Sequence, residues 1–258
     1  MESQVVNNEI YHELGERWYK AKDDPIALLR AESRARNGWI GSQLHNHFSQ
    51  ASVRILDVGC GAGFLANNLA QQGFQVTGLD ASESSLAVAR RYDATGTVIY
   101  QTGDAYELPY ADESFEAVCA MDFLEHIEKP DQVITEIARV LKPDGLFFFH
   151  TFNRNFLAWL IVIKGVEWVV KNTPRDLHIL KLFIKPAELK AMCERSGLHM
   201  ESLQGFVPKI NQRAFWRMIF TGVVEDEFEF QFTKSTLTGY TGFAVKRGCE
   251  GEERRREN

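Results

Sequence analysis

The sequence is poor in cysteine, and its cysteines follow no pattern that would suggest a disulfide framework or a zinc site. The four are isolated from one another, with no CxxC pair and no regular spacing: Cys60, Cys119, Cys193 and Cys249. Disulfide-stabilised small domains and zinc ribbons need paired, regularly spaced cysteines. Both classes are therefore excluded, and isolated thiols agree with a reducing compartment.

The chain also lacks an excess of positive charge and an export signal. It has 29 Lys and Arg against 35 Asp and Glu, a formal net charge of −6. Because nucleic-acid binding needs clustered cations, this balance gives no reason to expect a nucleic-acid partner. The basic cluster Arg254 to Arg256 lies in a charged tail, 248–258. The start, Met1 to Glu16, is polar and has no apolar core of the secretory kind, so we expect a cytoplasmic protein.

What the sequence does contain is a regular alternation of short apolar runs and helical stretches. Predicted strands cover 53–58, 75–79, 98–101, 115–121 and 145–151, and predicted helices cover 64–72, 83–92 and 131–141. Such alternation predicts βαβ units and a parallel sheet with helices on both faces. Two further runs, 228–232 and 240–245, are predicted to form an antiparallel hairpin that closes the sheet.

The expected architecture is therefore a Rossmann-like, doubly wound α/β fold with a mostly parallel seven-stranded sheet. We expect an N-terminal helical extension at 1–50, helical from Glu9 to Gly41, and a main domain at 51–247. An insertion at about 152–227 would supply a lid, and the charged tail would follow.

A glycine loop gives the strongest functional signal. Asp57-Val-Gly59-Cys-Gly61-Ala-Gly63 follows a predicted strand and precedes a helix, and Asp80 ends the next strand. Glycines there let a ligand approach the backbone, and an acid at that spacing can accept the two hydroxyls of a ribose. Dinucleotide sites use GxGxxG, whereas this loop has Phe64 at the sixth position, so a nicotinamide oxidoreductase is disfavoured.

These residues resemble the class I S-adenosylmethionine-dependent methyltransferases, over roughly residues 50–151. Further matches are Gly103-Asp104-Ala105 and Leu141-Lys-Pro-Asp-Gly145. The resemblance implies that Asp57, Gly59, Gly61 and Gly63 cradle the cofactor's amino-acid part and that Asp80 and Ala81 bind near the ribose. It further implies that Asp104 and Ala105 contact the adenine, although Asp104 could also be only a turn residue. Met121 would pack near the sulfonium.

Three segments are similar to a narrower family, the O-methyltransferases of ubiquinone biosynthesis. They are Met121-Asp-Phe-Leu-Glu-His126, Thr151-Phe-Asn-Arg-Asn155 and Phe183-Ile-Lys-Pro-Ala-Glu-Leu189. For Arg36 the resemblance implies a bidentate salt link to the carboxylate of the cofactor's methionine. The alternative for Arg36 is an exposed charge on a helix.

The family resemblance also implies a divalent cation, with Mg²⁺ the expected ion, held by Asp122, Glu125 and His126, where the family has a glutamate in place of Asp122. A phenol with a pKa of about 10 is ionised to roughly one part in a thousand at pH 7, a deficit of about 4 kcal/mol. A cation or a base must supply that free energy. The alternatives are catalysis by Glu125 and His126 without a metal, with His126 as general base, and a structural turn. His178 and Lys185 are expected to be surface residues.

An apolar block, 156–170, has twelve apolar residues in fifteen but is interrupted by Lys164 and Glu167. A spanning helix needs about 20 apolar residues, so the block should not cross a membrane. It is expected either to wall a substrate pocket or to lie at a lipid surface, where Trp159 and Trp168 would be favoured.

The sequence thus favours a methyltransferase that uses S-adenosyl-L-methionine to O-methylate a phenolic or catechol quinone precursor, with peripheral membrane contact compatible with a polyprenylated acceptor. Two alternatives stay open. One is a C- or N-methyltransferase of another small metabolite, since 211–238 does not follow the family pattern. The other is a non-catalytic cofactor-binding partner subunit.

Overall fold

A computed structural model describes residues 10–49, 52–174 and 177–248 of the 258-residue chain. The predicted charged tail beyond Gly248, with its arginine cluster, lies outside the described residues. The described helices are α1 (Ile10–Glu13), α2 (Arg17–Lys20), α3 (Pro25–His47), α4 (Phe64–Gln71), α5 (Glu83–Tyr92), α6 (Pro130–Val140), α7 (Phe156–Ala158), α8 (Val166–Val169), α9 (Pro186–Arg195) and α10 (Arg213–Thr221). A π-helical stretch, Trp159–Gly165, joins α7 to α8, and short 3₁₀ turns cover Leu124–His126 and Leu180–Leu182.

The strands form one eight-stranded sheet in the order β3-β2-β1-β4-β5-β8-β6-β7. They are β1 (Arg54–Val58), β2 (Gln75–Asp80), β3 (Ile99–Thr102), β4 (Phe115–Met121), β5 (Leu141–Phe152), β6 (Leu198–Pro208), β7 (Phe230–Thr233) and β8 (Gly239–Lys246). β1 to β5 pair in parallel, and β8, β6 and β7 continue the sheet through antiparallel pairings. The expected Rossmann-like α/β fold is confirmed.

Two details of the predicted sheet are wrong. The last two strands do not form a hairpin, because β6 lies between them and pairs with both. The predicted seven strands are eight, since β6, within the predicted insertion, was not recognised. Its side chains are mostly half-buried, and its register shifts between Met200 and Ser202, which interrupts the period-two pattern that identifies a strand.

The two central strands, β4 and β5, are buried in the core of the molecule. β4 is buried over its whole length except at Met121, and β5 is buried from Gly145 to Phe152. Both strands lie in the middle of the sheet, so apolar side chains cover both faces, as expected for strands with helices on each side. The carboxyl ends of β1, β2, β3, β4 and β5 consequently meet at one edge of the sheet, which is where ligands bind in open α/β sheets.

The predicted N-terminal helix is three helices, of which α3 is by far the longest. α3 begins with Pro25 at its first position, where the fixed φ of proline and its missing N–H do no harm. Residues from several sides of α3 are buried, including Ile26, Arg36 and Leu44. This helix therefore packs into the molecule rather than on its surface, and it passes the edge of the sheet where the strands end.

Candidate active site

A cavity of about 630 Å³ lies at the carboxyl ends of the parallel strands. Most residues predicted to bind the cofactor line it: Asp57, Gly59, Gly61, Asp80, Ala81, Asp104, Ala105 and Met121. Gly63 shapes the loop from behind, at the N-cap of α4. The structure therefore brings the glycine loop, the acid after β2 and the turn after β3 together around one space.

The glycine loop needs its glycines for two separate reasons. Gly59 and Gly63 have φ values of 69° and 78°, in the left-handed region that other residues avoid. A Cβ at Gly59 would overlap the ring of Phe123, and a Cβ at Gly63 would overlap the hydroxyl of Tyr100. Conformation and close packing both require these positions to be free of a side chain.

Asp80 ties the loop to the end of β2. One carboxylate oxygen accepts from the Gly61 amide at 2.8 Å, and the other accepts from the Ser82 amide, also at 2.8 Å. A carboxylate has about four lone-pair positions, so it can accept these amides and still bind ribose hydroxyls. Asp80 is thus fixed in place at the cavity wall in advance of ligand binding.

Asp57 and Asp104 line the same cavity but differ in exposure. Asp57 is almost fully buried, and burial raises its pKa to about 8, despite a backbone hydrogen bond from Ala66. Asp104 is exposed and accepts a hydrogen bond from the Tyr106 amide, which is a turn contact of the kind its alternative interpretation predicts. The turn contact occupies one oxygen of Asp104; its contact with an adenine stays a prediction.

Two aromatic residues of the N-terminal helices cover the cavity, and the sequence did not single them out. Tyr11 and Trp18 both line it, and their rings stack at 5.6 Å between centroids. The Tyr11 ring also stands edge-on to His126 at 5.8 Å. The N-terminal helices therefore form part of the ligand site.

A second cavity, of about 320 Å³, adjoins the first and is mainly apolar. It is lined by α3, by the block 156–170, by α10 and by the ends of β5 and β6. Four residues line both cavities: Tyr11, Leu29, Asp122 and His126. These four side chains form a wall that the two cavities share.

The apolar block has one face on this second cavity and another on the surface. Leu160, Val162, Val166 and Val169 are among its lining residues. Phe156 and Trp168 are 71% and 70% exposed, whereas Trp159 is only partly exposed. The block therefore lines the second cavity, as one of the two expectations has it, and contact with a lipid surface stays a prediction. Among the described helices, none has the length and apolar character needed to cross a membrane.

Arg36 takes a different partner from the one that the resemblance implies. Its guanidinium donates to both carboxylate oxygens of Asp122, lies 5.5 Å from the centre of the Phe206 ring and does not line the cofactor cavity. Burial alone would raise the pKa of Asp122, but Arg36 outweighs it and lowers that pKa below its ordinary value. The predicted salt link from Arg36 to the cofactor stays a prediction, whereas the 1% exposure of Arg36 excludes the alternative of an exposed helix charge.

Glu125 and His126, the two predicted catalytic residues, differ in access. Glu125 is 1% exposed and lines neither cavity, whereas His126 lines both. Burial lowers the pKa of His126 to about 4. A phenol with a pKa of about 10 is then mismatched by about 6 units, or roughly 8 kcal/mol. His126 is consequently a weak base for this proton.

His178 is not the surface residue that the sequence suggested. It lines the second cavity, 5.4 Å from the His126 ring and 5.4 Å from the Phe152 ring, between ring centres. Burial, the largest cause, lowers its pKa to about 3. Lys185 is exposed, as expected.

The three residues that the resemblance implies as metal ligands do not bring their ligand atoms together. Among the described residues, the group whose ligand atoms all lie within 4.8 Å of one another is Glu32, Asp122 and His150. Glu125 and His126 do not belong to it. The residues present therefore do not fit a cation held by Asp122, Glu125 and His126.

Sequence reasoning missed Glu32 and His150. Glu32 stands in a charged stretch of α3 that is indistinguishable from a solvated helix face, and His150 follows three phenylalanines in β5. The only sequence signal for Glu32 was its spacing from Arg36. Glu32 precedes Arg36 by four residues, so the two must share a helix face.

Comparisons with known proteins identify the family of the chain. The family profile described as "Methyltransferase domain" matches residues 56–149. The chain is 36% identical over 199 residues to the ubiquinone biosynthesis O-methyltransferase of Azoarcus sp. (strain BH72), a match that covers 76% of this chain and 83% of that protein. It is also 36% identical over 211 residues to the protein of the same name from Pseudomonas entomophila, covering 79% and 88% of the two chains.

A solved structure extends the comparison of the fold. The magnesium protoporphyrin IX methyltransferase of Synechocystis PCC 6803, crystallised with bound SAH, superposes with a TM-score of 0.58 at 19% identity. The superposition covers 84% of each chain. This likeness concerns the fold alone.

Proposed function

The chain belongs to the class I S-adenosylmethionine-dependent methyltransferases, in the family of the ubiquinone biosynthesis O-methyltransferases, and from this premise we propose that it methylates a phenolic oxygen of a catechol or hydroxyphenol quinone precursor. The observation that carries the proposal is the pair of adjoining cavities. One is lined by the glycine loop and its acids, and the other is apolar. An aromatic ring with an apolar tail suits the second cavity.

The cofactor supplies an electrophilic methyl group when it is bound. Gly59, Gly61 and Asp80 offer the backbone and carboxylate contacts that would orient it, and Tyr11 and Trp18 cover the cavity against water. Fixing two reactants in line replaces an encounter in solution by an intramolecular step, which can lower a barrier by about 7–11 kcal/mol. The main contribution to catalysis that we assign to this chain is therefore to hold the methyl donor and the acceptor in line.

The acceptor's proton must also be removed or its oxyanion stabilised. Tyr11, Asp122 and His126 are the polar residues common to both cavities, so they lie where the acceptor oxygen would face the donor. When bound ligands exclude water from this wall, the electrostatic interactions of these three groups become stronger. The apolar lining of the second cavity would contact the aromatic ring and the apolar tail of the acceptor.

The test is transfer of a labelled methyl group to a panel of acceptors. The panel contains a prenylated catechol, a prenylated hydroxyphenol, an aromatic amine and an activated ring carbon nucleophile. We expect methyl ethers from the phenols, with release of S-adenosylhomocysteine. Label on nitrogen or carbon would replace this proposal by the C- or N-methyltransferase alternative, and cofactor binding without any product would favour the non-catalytic subunit.

A second part of the proposal concerns how the acceptor enters. Ile161 and Ile219 both line the acceptor cavity and are both exposed, at 47% and 38%, so they mark its mouth. Around the mouth, Trp168 and Phe220 expose 70% and 82% of their surface. We propose that these side chains rest on a lipid surface, from which a polyprenylated acceptor passes directly into the cavity.

Vesicle flotation tests this entry route. The protein should float with vesicles of phosphatidylcholine and phosphatidylglycerol, and replacing Trp168 and Phe220 by Ser should reduce the floated fraction several-fold. Ile99→Ser is the matched control, because Ile99 is 65% exposed on the opposite edge strand, β3. Equal flotation of all three proteins, or none at all, would contradict the route.

A further inference from the structure

The indole N–H of Trp18 is a buried donor at the cofactor cavity. Trp18 lies on α2, is 4% exposed and lines that cavity. Among the described residues, none accepts a hydrogen bond from its Nε1 atom. Buried polar groups without partners are costly and rare, so an acceptor on a molecule that enters the cavity would remove this cost.

The Trp18 ring is held in place by neighbours on several sides. It stacks on Tyr11 at 5.6 Å and stands edge-on to Phe64 at 5.8 Å, between ring centres. A Cβ added at Gly61 would lie 3.2 Å from Cη2 of the ring, so the ring lies directly against the glycine loop. Because the ring is already fixed, little rotational freedom would be lost when it binds a ligand.

The backbone around Trp18 is attached to two parts of the molecule. The guanidinium of Arg30, on α3, donates to the Trp18 carbonyl at 2.9 Å and to the Ala21 carbonyl at 2.5 Å. The Tyr19 hydroxyl donates to the carbonyl of Ala62, in the glycine loop, at 2.9 Å. α2 is therefore tied both to α3 and to the loop beside which the cofactor would bind.

The groups that line the cofactor cavity offer few donors to a carboxylate. Four aspartates line it, whereas no lysine or arginine stands among its described lining residues. Ionised aspartates accept from the hydroxyl and ammonium groups of S-adenosylmethionine, but they cannot donate to its carboxylate. Three hydroxyl groups at the cavity already donate to other protein groups, and they belong to Ser33, Ser85 and Thr102.

Trp18 lies at a part of the cavity that favours an anion. α4 begins at Phe64, whose ring contacts that of Trp18 and which lines the same cavity. The first turn of a helix carries a partial positive charge and backbone N–H groups without helical partners. A carboxylate placed there would also strengthen the hydrogen bond from the indole, since bonds to charged acceptors are the stronger ones.

We propose that the indole N–H of Trp18 donates a hydrogen bond to the carboxylate of bound S-adenosylmethionine. This bond would orient the amino-acid end of the cofactor, which is attached to the sulfonium, and so help to position the methyl group. A carboxylate has about four lone-pair positions, so this bond and the predicted link from Arg36 do not exclude each other. The bond concerns the cofactor alone and is independent of the acceptor that is methylated.

The test compares two ligands that differ only by the carboxylate, S-adenosylmethionine and decarboxylated S-adenosylmethionine. Calorimetry on the full-length protein gives the Kd of each. Trp18→Phe keeps an aromatic ring in α2 but removes the N–H. We expect it to weaken the binding of S-adenosylmethionine by about tenfold or more, and that of the decarboxylated ligand by less than about twofold.

Trp39→Phe is the matched control, because Trp39 is half-buried and lines neither cavity. It should change neither Kd, and melting temperatures show whether each variant is folded. An equal loss for both ligands in Trp18→Phe would show that Trp18 acts only through packing, which would overturn the proposal. Unchanged binding of both ligands would overturn it as well.

Nuclear magnetic resonance observes the indole proton directly. In protein labelled with ¹⁵N in its five tryptophan side chains, the Trp18 signal is the one that is absent from Trp18→Phe. If that variant does not fold, single Phe variants of the other tryptophans identify the signal by elimination. S-adenosylhomocysteine should move the signal downfield, and 5′-methylthioadenosine, which lacks the amino-acid part, should not. A signal that responds equally to both ligands, or to neither, would contradict the hydrogen bond.

Discussion

The two cavities are built by different means, although they share a wall. The cofactor cavity is lined mainly by residues of the turns that follow β1, β2 and β3, with glycines and acids at fixed places along a short stretch of chain. The acceptor cavity is formed mainly by apolar side chains from α3, the block 156–170, α10 and β6. A site made of backbone tolerates little change in sequence, whereas a site made of apolar side chains can change its shape by exchanging them.

This difference assigns separate tasks to the two halves of the sheet. The parallel half, β1 to β5, holds the group that every reaction of this chemistry shares. Under the proposed function, the antiparallel half, with the segments around it, would determine which acceptor fits. Four substitutions test this division.

Replacing Arg36 by Met should have the largest effect, because Arg36 lies behind the wall between the cavities. The change leaves the carboxylate of Asp122, which is 11% exposed, without its guanidinium partner, and removing one partner of such a largely buried ion pair costs about 3–5 kcal/mol. Chemical denaturation should show this loss. The double variant with Asp122→Asn should recover much of it, and a double variant no more stable than Arg36→Met would contradict the assignment.

Replacing Gly59 by Ala should disable the cofactor cavity alone. The new Cβ meets the Phe123 ring at a φ of 69°, so we expect binding of S-adenosylhomocysteine to weaken at least 100-fold, or about 2.7 kcal/mol, by calorimetry. Gly96→Ala is the control, because Gly96 has a φ of 63° and open space around it. Equal loss in both variants would mean that backbone strain, and not the collision, is responsible.

Replacing Val166 by Phe should act on the acceptor cavity alone. Val166 lines that cavity and not the other, so the larger ring should raise the KM for the acceptor about tenfold, or about 1.4 kcal/mol. The Kd for S-adenosylhomocysteine should not change. A change in that Kd of similar size would show that the two cavities are not separable by residue.

Replacing Glu116 by Gln should have the smallest effect, because Glu116 lies on β4 away from both cavities. Burial would raise the pKa of Glu116, but hydrogen bonds from Lys142 and the Arg54 amide outweigh it and lower the pKa below its ordinary value. The ionised group therefore stabilises the fold above the pKa of the unfolded chain, about 4.3, and this stability is lost as pH falls through the folded pKa.

We expect Glu116→Gln to remove about 1 kcal/mol at pH 7 and less at pH 3, measured by denaturation at both values. Ligand binding at either cavity should be unchanged at pH 7. A larger loss at pH 3 than at pH 7 would contradict the sign of the shift.

The same division explains how much could be predicted from the sequence. The parallel strands and the glycine loop follow local patterns, so the sequence alone is enough to place Gly59 and Asp80 at the ends of neighbouring strands. β6 could not be recognised, because its side chains are mostly half-buried and its register shifts within the strand. With β6 missed, the two last strands appeared adjacent, and the predicted hairpin was wrong.

The contacts of Glu32, Arg36 and His150 could not be predicted, because they are made with residues far away in the sequence. Glu32 belongs to a helix with charges on several sides, and only packing against β4 and β5 shows that it faces Asp122 and His150. Arg36 was recognised, but its partner was not, because the sequence does not show that Asp122 lies within reach of both guanidinium nitrogens. Long-range convergence of this kind has no local signature.

The small size of the apolar cavity has a consequence for acceptors of different length. About 320 Å³ is near the lower end for sites that enclose a drug-sized ligand, so it can take the ring and the first part of a tail. If the acceptor carries a long isoprenoid tail, as we propose, the rest of that tail would leave between Ile161 and Ile219. Such a site would select the aromatic ring of its acceptor and would accept tails of different length.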